Sequence, residues 1–103
     1  MAKSSLGRLL IVDDEVELMN ALCETLAVQD YEVVGKTSGQ DGLGALESQT
    51  FDLLLSDLMM PGMDGIQLLR QALGIDPQLV GIIMTGQGTV QTAVEAMKLV
   101  AFD

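Results

Sequence analysis

Residues 51–65, FDLLLSDLMMPGMDG, pass from an apolar run into a loop that opens on an aspartate. The run from Phe51 to Ser56 reads as a strand. From Asp57 to Gly65, Pro61 and two glycines break any periodicity, so the strand ends in a loop. Toward the N-terminus, Tyr31–Gly35 (YEVVG) is a second strand-length segment. Farther upstream, Arg8–Val12 (RLLIV) is continuously apolar, as a strand covered on both faces is. Asp13 and Asp14 end that run. Toward the C-terminus, Leu79–Met84 (LVGIIM) is a further strand, ended by Thr85 and Gly86.

Helical spacing fills the gaps between strands. Leu18, Met19, Leu22 and Leu26 share one stripe; residues 39–49 form a weak helix that carries Leu43 and Leu46 but also Gly42 and Gly44. Ile66, Leu69, Ala72 and Leu73 mark a third helix, and Val90, Ala93, Val94 and Met97 a fourth. Strand and helix thus alternate four times. Short apolar strands joined through helices imply a parallel sheet with right-handed crossovers. The expected fold class is α/β, a three-layer αβα, doubly wound, flavodoxin-like sheet.

The chain has 103 residues, enough for one small domain. Fifteen acidic against five basic residues give a net charge of −10, which argues against gripping nucleic acid or anionic lipid. No apolar run approaches the ~20 residues of a membrane span. Residues 1–7 lack the apolar core of a signal peptide, so a cytoplasmic location is expected. There is no histidine, which removes His-based acid–base chemistry, catalytic triads and most zinc sites. The single Cys23 lies in an apolar helical pattern and reads as a small buried hydrophobe.

In such sheets ligands bind beyond the carboxyl ends of the strands. Asp13 and Asp14 stand there, with Asp57 and Thr85 on two other strands. With neighbouring strands ~4.8 Å apart, three carboxylates converge and repel. A hard divalent cation offsets this, and Mg²⁺ favours such oxygens. Plain structural roles remain open at this point. Asp14-Glu-Val-Glu17 has capping-box spacing, and Asp57 fits a turn into the Pro61–Gly62 loop. Asp64, with Gln67 three residues on, reads as a helix cap. The methionines 59, 60 and 63 read as loop packing, and Glu24, Glu32, Glu47 and Glu95 as solvated faces.

Taken together, LLIVDDE at 9–15, LLLSDLMMPGMDG at 53–65 and IIMTG at 82–86 resemble the receiver domain of bacterial two-component response regulators. The resemblance extends from residue 8 to the end of the chain. It implies that Asp57 is the phosphoacceptor, taking a phosphoryl group from the phosphohistidine of a sensor histidine kinase or phosphotransfer protein. It implies Asp14 as a direct Mg²⁺ ligand, Asp13 acting mainly through water, and the backbone carbonyl of Met59 as a further ligand; Mn²⁺ is an alternative ion. Thr85 would hydrogen-bond a phosphoryl oxygen, Gly86 would leave room for the donor, and Met59 and Gln87 would tune dephosphorylation. The face of helix 4 would meet an output domain or effector.

The same resemblance sets residues 1–7 as a leader and 8–103 as a receiver domain incomplete at its C-terminus. Receivers of this kind continue into a fifth strand ending in Lys-Pro and a fifth helix, which the sequence to Asp103 lacks; the expected strand order is then 2-1-3-4, with strand 4 left as an apolar edge that would favour self-association. No base among Lys3, Arg8, Lys36, Arg70 and Lys98 is expected at the strand carboxyl ends as a substitute lysine. Three function classes compete: a phosphoacceptor signalling module rather than an enzyme, a binding module that works unphosphorylated, and a Mg²⁺-dependent phosphohydrolase. The last usually needs a second aspartate two residues after the nucleophile, where Met59 stands.

Overall fold

The computed structural model describes residues 7–84. Within them, β1 (Arg8–Val12), α1 (Val16–Val28), β2 (Glu32–Lys36), α2 (Gly39–Ser48), β3 (Leu53–Asp57), α3 (Gly65–Ile75) and β4 (Val80–Met84) alternate along the chain. The strands form one parallel sheet in the order β2-β1-β3-β4. The expected fold class and strand order are both met. The expected fourth helix, Thr85, Gly86 and Gln87 lie outside the described residues.

The two inner strands explain the layering. Leu9, Leu10, Ile11 and Val12, with Leu53, Leu54 and Leu55, are fully buried, and each such side chain contributes about 1.5–3 kcal/mol. Alternation splits them. Leu9, Ile11, Leu53 and Leu55 pack under Met19, Leu22 and Leu26 of α1. Leu10, Val12 and Leu54 pack under α2 and α3, against Ala45, Leu46, Leu68 and Ala72. Helices therefore cover both faces, which is why the strands read as unbroken apolar runs.

Close packing fixes two glycines. A Cβ on Gly35 of β2 would lie 2.8 Å from the Cys23 sulfur, and one on Gly42 would lie 2.9 Å from Val12 Cγ2. Cys23, expected to be buried, is half-buried, packed against the α1-side core with its sulfur 3.7 Å from that of Met19. Burial, and then the charge of Glu24, push its thiol pKa up.

Several boundaries differ from the sequence reading. Phe51 is buried in the α2–α3 core but precedes β3, because Asp52 turns its N–H to the Arg8 carbonyl and its carboxylate to the Arg8 N–H. β3 then runs one residue farther, through Asp57, which pairs with Met84. β2 is shifted by one and ends at Lys36. In α3 the buried stripe is Gly65, Leu68 and Ala72, while Ile66 and Leu73 of the expected stripe are exposed.

Candidate metal and phosphoacceptor site

The register aligns the acidic residues. Val12 lies opposite Ser56 and Asp57 opposite Met84, so Asp13, one residue past Val12, comes level with Asp57. Alternation does the aiming. Asp13 follows Leu9 and Ile11 in phase, and Asp57 follows Leu53 and Leu55. All four of those apolar residues face α1, so both carboxylates emerge on the α1 side at the carboxyl edge of the sheet.

Carboxylate oxygens of Asp13, Asp14 and Asp57 lie within 4.8 Å of one another. Asp13 is only 1% exposed, Asp57 is half-buried and Asp14 is exposed. Burial pushes the Asp13 carboxyl above its ordinary range; the N–H of Glu15, donating to Asp13 Oδ1 at 2.9 Å, pulls the other way. The charges of Asp57, Asp14 and Glu15 add to the upward push. Among the described residues none of the three carboxylates has a basic partner; the ion pair there, Arg8–Glu32, spans β1 and β2 at their opposite ends. An all-oxygen, crowded, uncompensated donor set fits a hard divalent cation.

Asp14 is not a helix cap, contrary to the capping alternative. Glu15 occupies the N-cap position of α1 and no side chain caps it. The Asp13 carboxylate takes the Glu15 N–H in a local turn, so the helix starts at Val16 and Asp14 is left to the cluster. The turn alternative for Asp57 is present in part: Met59 N–H points to Asp57 Oδ1 at 3.4 Å. Asp64 caps α3 in a complete capping box with Gln67.

The loop after Asp57 is pinned at both ends. Leu58 N–H donates to the Met84 carbonyl at 2.8 Å, and Gly65 N–H to the Leu58 carbonyl at 2.9 Å. Met60 is buried in the α2–α3 core, and Met63 sits against Gly39, where a Cβ would lie 2.8 Å from its sulfur. Met59 is 69% exposed, so it takes no part in the packing expected of the three methionines.

Lys36 is placed differently from the sequence reading. It is the last residue of β2, level with Val12, and its carbonyl accepts the Asp13 N–H. It therefore does stand at a strand carboxyl end. Its side chain lines a groove of about 310 Å³ with Val34, Gln40 and Asp41. Val34 packs on the α2 side, so Lys36 leans away from the carboxylate cluster. The sequence reading missed this because it ended the strand at Gly35. It also passed over Ser56, a fully buried hydroxyl next to Asp57.

Three aspartates in a cation-fitting cluster at the carboxyl edge of a doubly wound sheet define a class of signalling domain. The chain matches the family model "Response regulator receiver domain" over residues 9–103 and belongs to that family. Phosphoacceptance in two-component signalling is the family's function. The chain is similar to the C4-dicarboxylate transport transcriptional regulatory protein DctD of Rhizobium meliloti, 34% identical over 100 residues, covering 97% of this chain and 22% of the relative. It is 41% identical over 97 residues to the response regulator protein FleR of Pseudomonas aeruginosa, covering 94% of this chain and 20% of the relative. The chain thus spans about a fifth of the length of these curated relatives. A response regulator receiver domain protein from Clostridium thermocellum shares the fold with a TM-score of 0.75 and 31% identity, covering 94% of this chain and 79% of that one. No helix among the described residues is long and apolar enough to cross a membrane.

Proposed function

We propose that Asp57 accepts a phosphoryl group from the phosphohistidine of a sensor histidine kinase or phosphotransfer protein, and that the resulting acyl phosphate signals to an output domain or effector. The observation that carries this is the meeting of Asp13, Asp14 and Asp57 oxygens within 4.8 Å. A carboxylate oxygen of Asp57 forms a bond to phosphorus as the phosphorus–nitrogen bond of the donor breaks, and the imidazole leaves with that electron pair. Asp13, Asp14, Asp57 and the Met59 carbonyl would hold Mg²⁺, with Mn²⁺ as a substitute. When bound, the ion screens the repulsion between Asp57 and the phosphoryl oxygens and stabilises the charge that develops between them.

The chain's own residues do the rest. Asp13 stays oriented by the Glu15 N–H. Asp57 is half-buried, which limits the water around the acceptor while leaving it reachable. The product carries added charge of about −2 and new acceptor oxygens. Thr85 is proposed to hydrogen-bond one of these, Gly86 to leave space for the donor, and the segment that follows to carry the change onward. A cytoplasmic setting follows from such a kinase partner.

Incubation with acetyl phosphate and Mg²⁺, followed by intact-mass measurement, tests the reading. The wild type is expected to gain one phosphoryl group, and the Asp57→Asn variant none. Equal labelling of both would overturn it, as would an unmodified wild type.

A further inference from the structure

We infer that Ser56 is a positioning residue for the acceptor, resting on the reading of Asp57 above. Ser56 is fully buried, yet it sits among apolar neighbours of β1 and β3. Buried hydroxyls require a partner, and this one donates to the carbonyl of Asp57 itself at 3.0 Å. The same carbonyl is closed in by Gly65. A Cβ on Gly65 would clash with the Asp57 carbonyl oxygen and lie 3.1 Å from the Leu58 α-carbon. One peptide group, Asp57–Leu58, is therefore gripped from two directions.

That peptide sets the direction of everything next to it. Its N–H, on Leu58, is aimed at the Met84 carbonyl at 2.8 Å. The following N–H, on Met59, is aimed at Asp57 Oδ1. Rotation about the Asp57 Cα–C bond would turn the segment that carries Met59 relative to the Asp57 carboxylate, and so would change the spacing between the acceptor and a proposed metal ligand. A hydroxyl held by its neighbour's carbonyl thus acts on the reaction without touching the reacting atoms.

The experiment compares wild type with Ser56→Ala, Ser56→Cys and Ser56→Thr, with Asp57→Asn as reference. Phosphorylation rates are measured with acetyl phosphate at saturating Mg²⁺, Mg²⁺ affinity by calorimetric titration, and stability by thermal denaturation. Loss of one buried hydrogen bond that also orients reacting groups is expected to slow labelling and weaken Mg²⁺ binding by about 5- to 10-fold in the Ala and Cys variants. The Thr variant, which keeps the hydroxyl, is expected to restore both. A purely structural role would lower the thermal midpoint and leave rate and affinity at the wild-type level; that result overturns the inference. If wild type itself shows no Asp57-dependent labelling, the reading of Asp57 falls and takes this role with it. If wild type labels and all three Ser56 variants match it, only the role of Ser56 falls.

Discussion

Asp13 is a buried carboxyl, 1% exposed, at the edge of the sheet. Its pKa is raised by burial first and by Asp57, Asp14 and Glu15 after that. Because the folded-state value is raised, the stability contributed by the neutral carboxyl is full below its ordinary value of 3.8 and is lost as pH rises through the folded-state value. The metal-free Asp13→Asn variant should therefore be more stable than wild type near pH 7, on the order of 1 kcal/mol. That advantage should shrink toward zero below pH 3.8. Thermal denaturation with a chelator across pH 3–7 checks this; an advantage that does not change with pH would contradict the assignment. The acidic trio was legible in the sequence because strand ends and side-chain alternation are both local signals. Lys36 was not, since a one-residue shift in the end of β2 decides where it stands. Ser56 was not, since its partner is a backbone carbonyl that only the fold brings into line.

At the scale of elements, α2 and α3 offer opposite lessons about glycine and caps. Gly44 of α2 faces open space, with nothing within 4 Å of an added Cβ, whereas a Cβ on Gly42 would lie 2.9 Å from Val12 Cγ2. Gly44→Ala should stabilise the protein by about 0.5–1 kcal/mol through helix propensity, and Gly42→Ala should destabilise it. Urea denaturation of the two variants measures the contrast. In α3, Asp64→Ala should cost about 1 kcal/mol by removing the capping box, and Asp64→Asn much less. The Asp64–Gln67 box was readable from spacing alone. The equally spaced Asp14–Glu17 pair was misleading, because the Asp13 carboxylate takes the Glu15 N–H and moves the helix start to Val16. The stripe of α3 was displaced for a related reason: the loop from Asp57 to Gly65 sets the helix phase so that Leu68, not Ile66, meets the core.

For the molecule as a whole, the strand order β2-β1-β3-β4 is what makes residues 13, 14 and 57 neighbours. Parallel apolar strands with helices between them left few other topologies, which is why the architecture was visible before any coordinates. A ligand that binds only the folded state raises stability by about 2.7 kcal/mol at 100 times its dissociation constant. Millimolar Mg²⁺ should accordingly raise the thermal midpoint of wild type by several degrees, and should do so far less in Asp13→Asn and Asp14→Asn. An equal response in all three would place the ion elsewhere. The most direct test of the central claim is to locate the phosphoryl group. After reaction with acetyl phosphate and Mg²⁺, the acyl phosphate is reduced with borohydride and the peptides are sequenced by tandem mass spectrometry. The account predicts a single reduced residue, Asp57, formed only when Mg²⁺ is present; reduction at another carboxylate, or an unmodified chain, would contradict it.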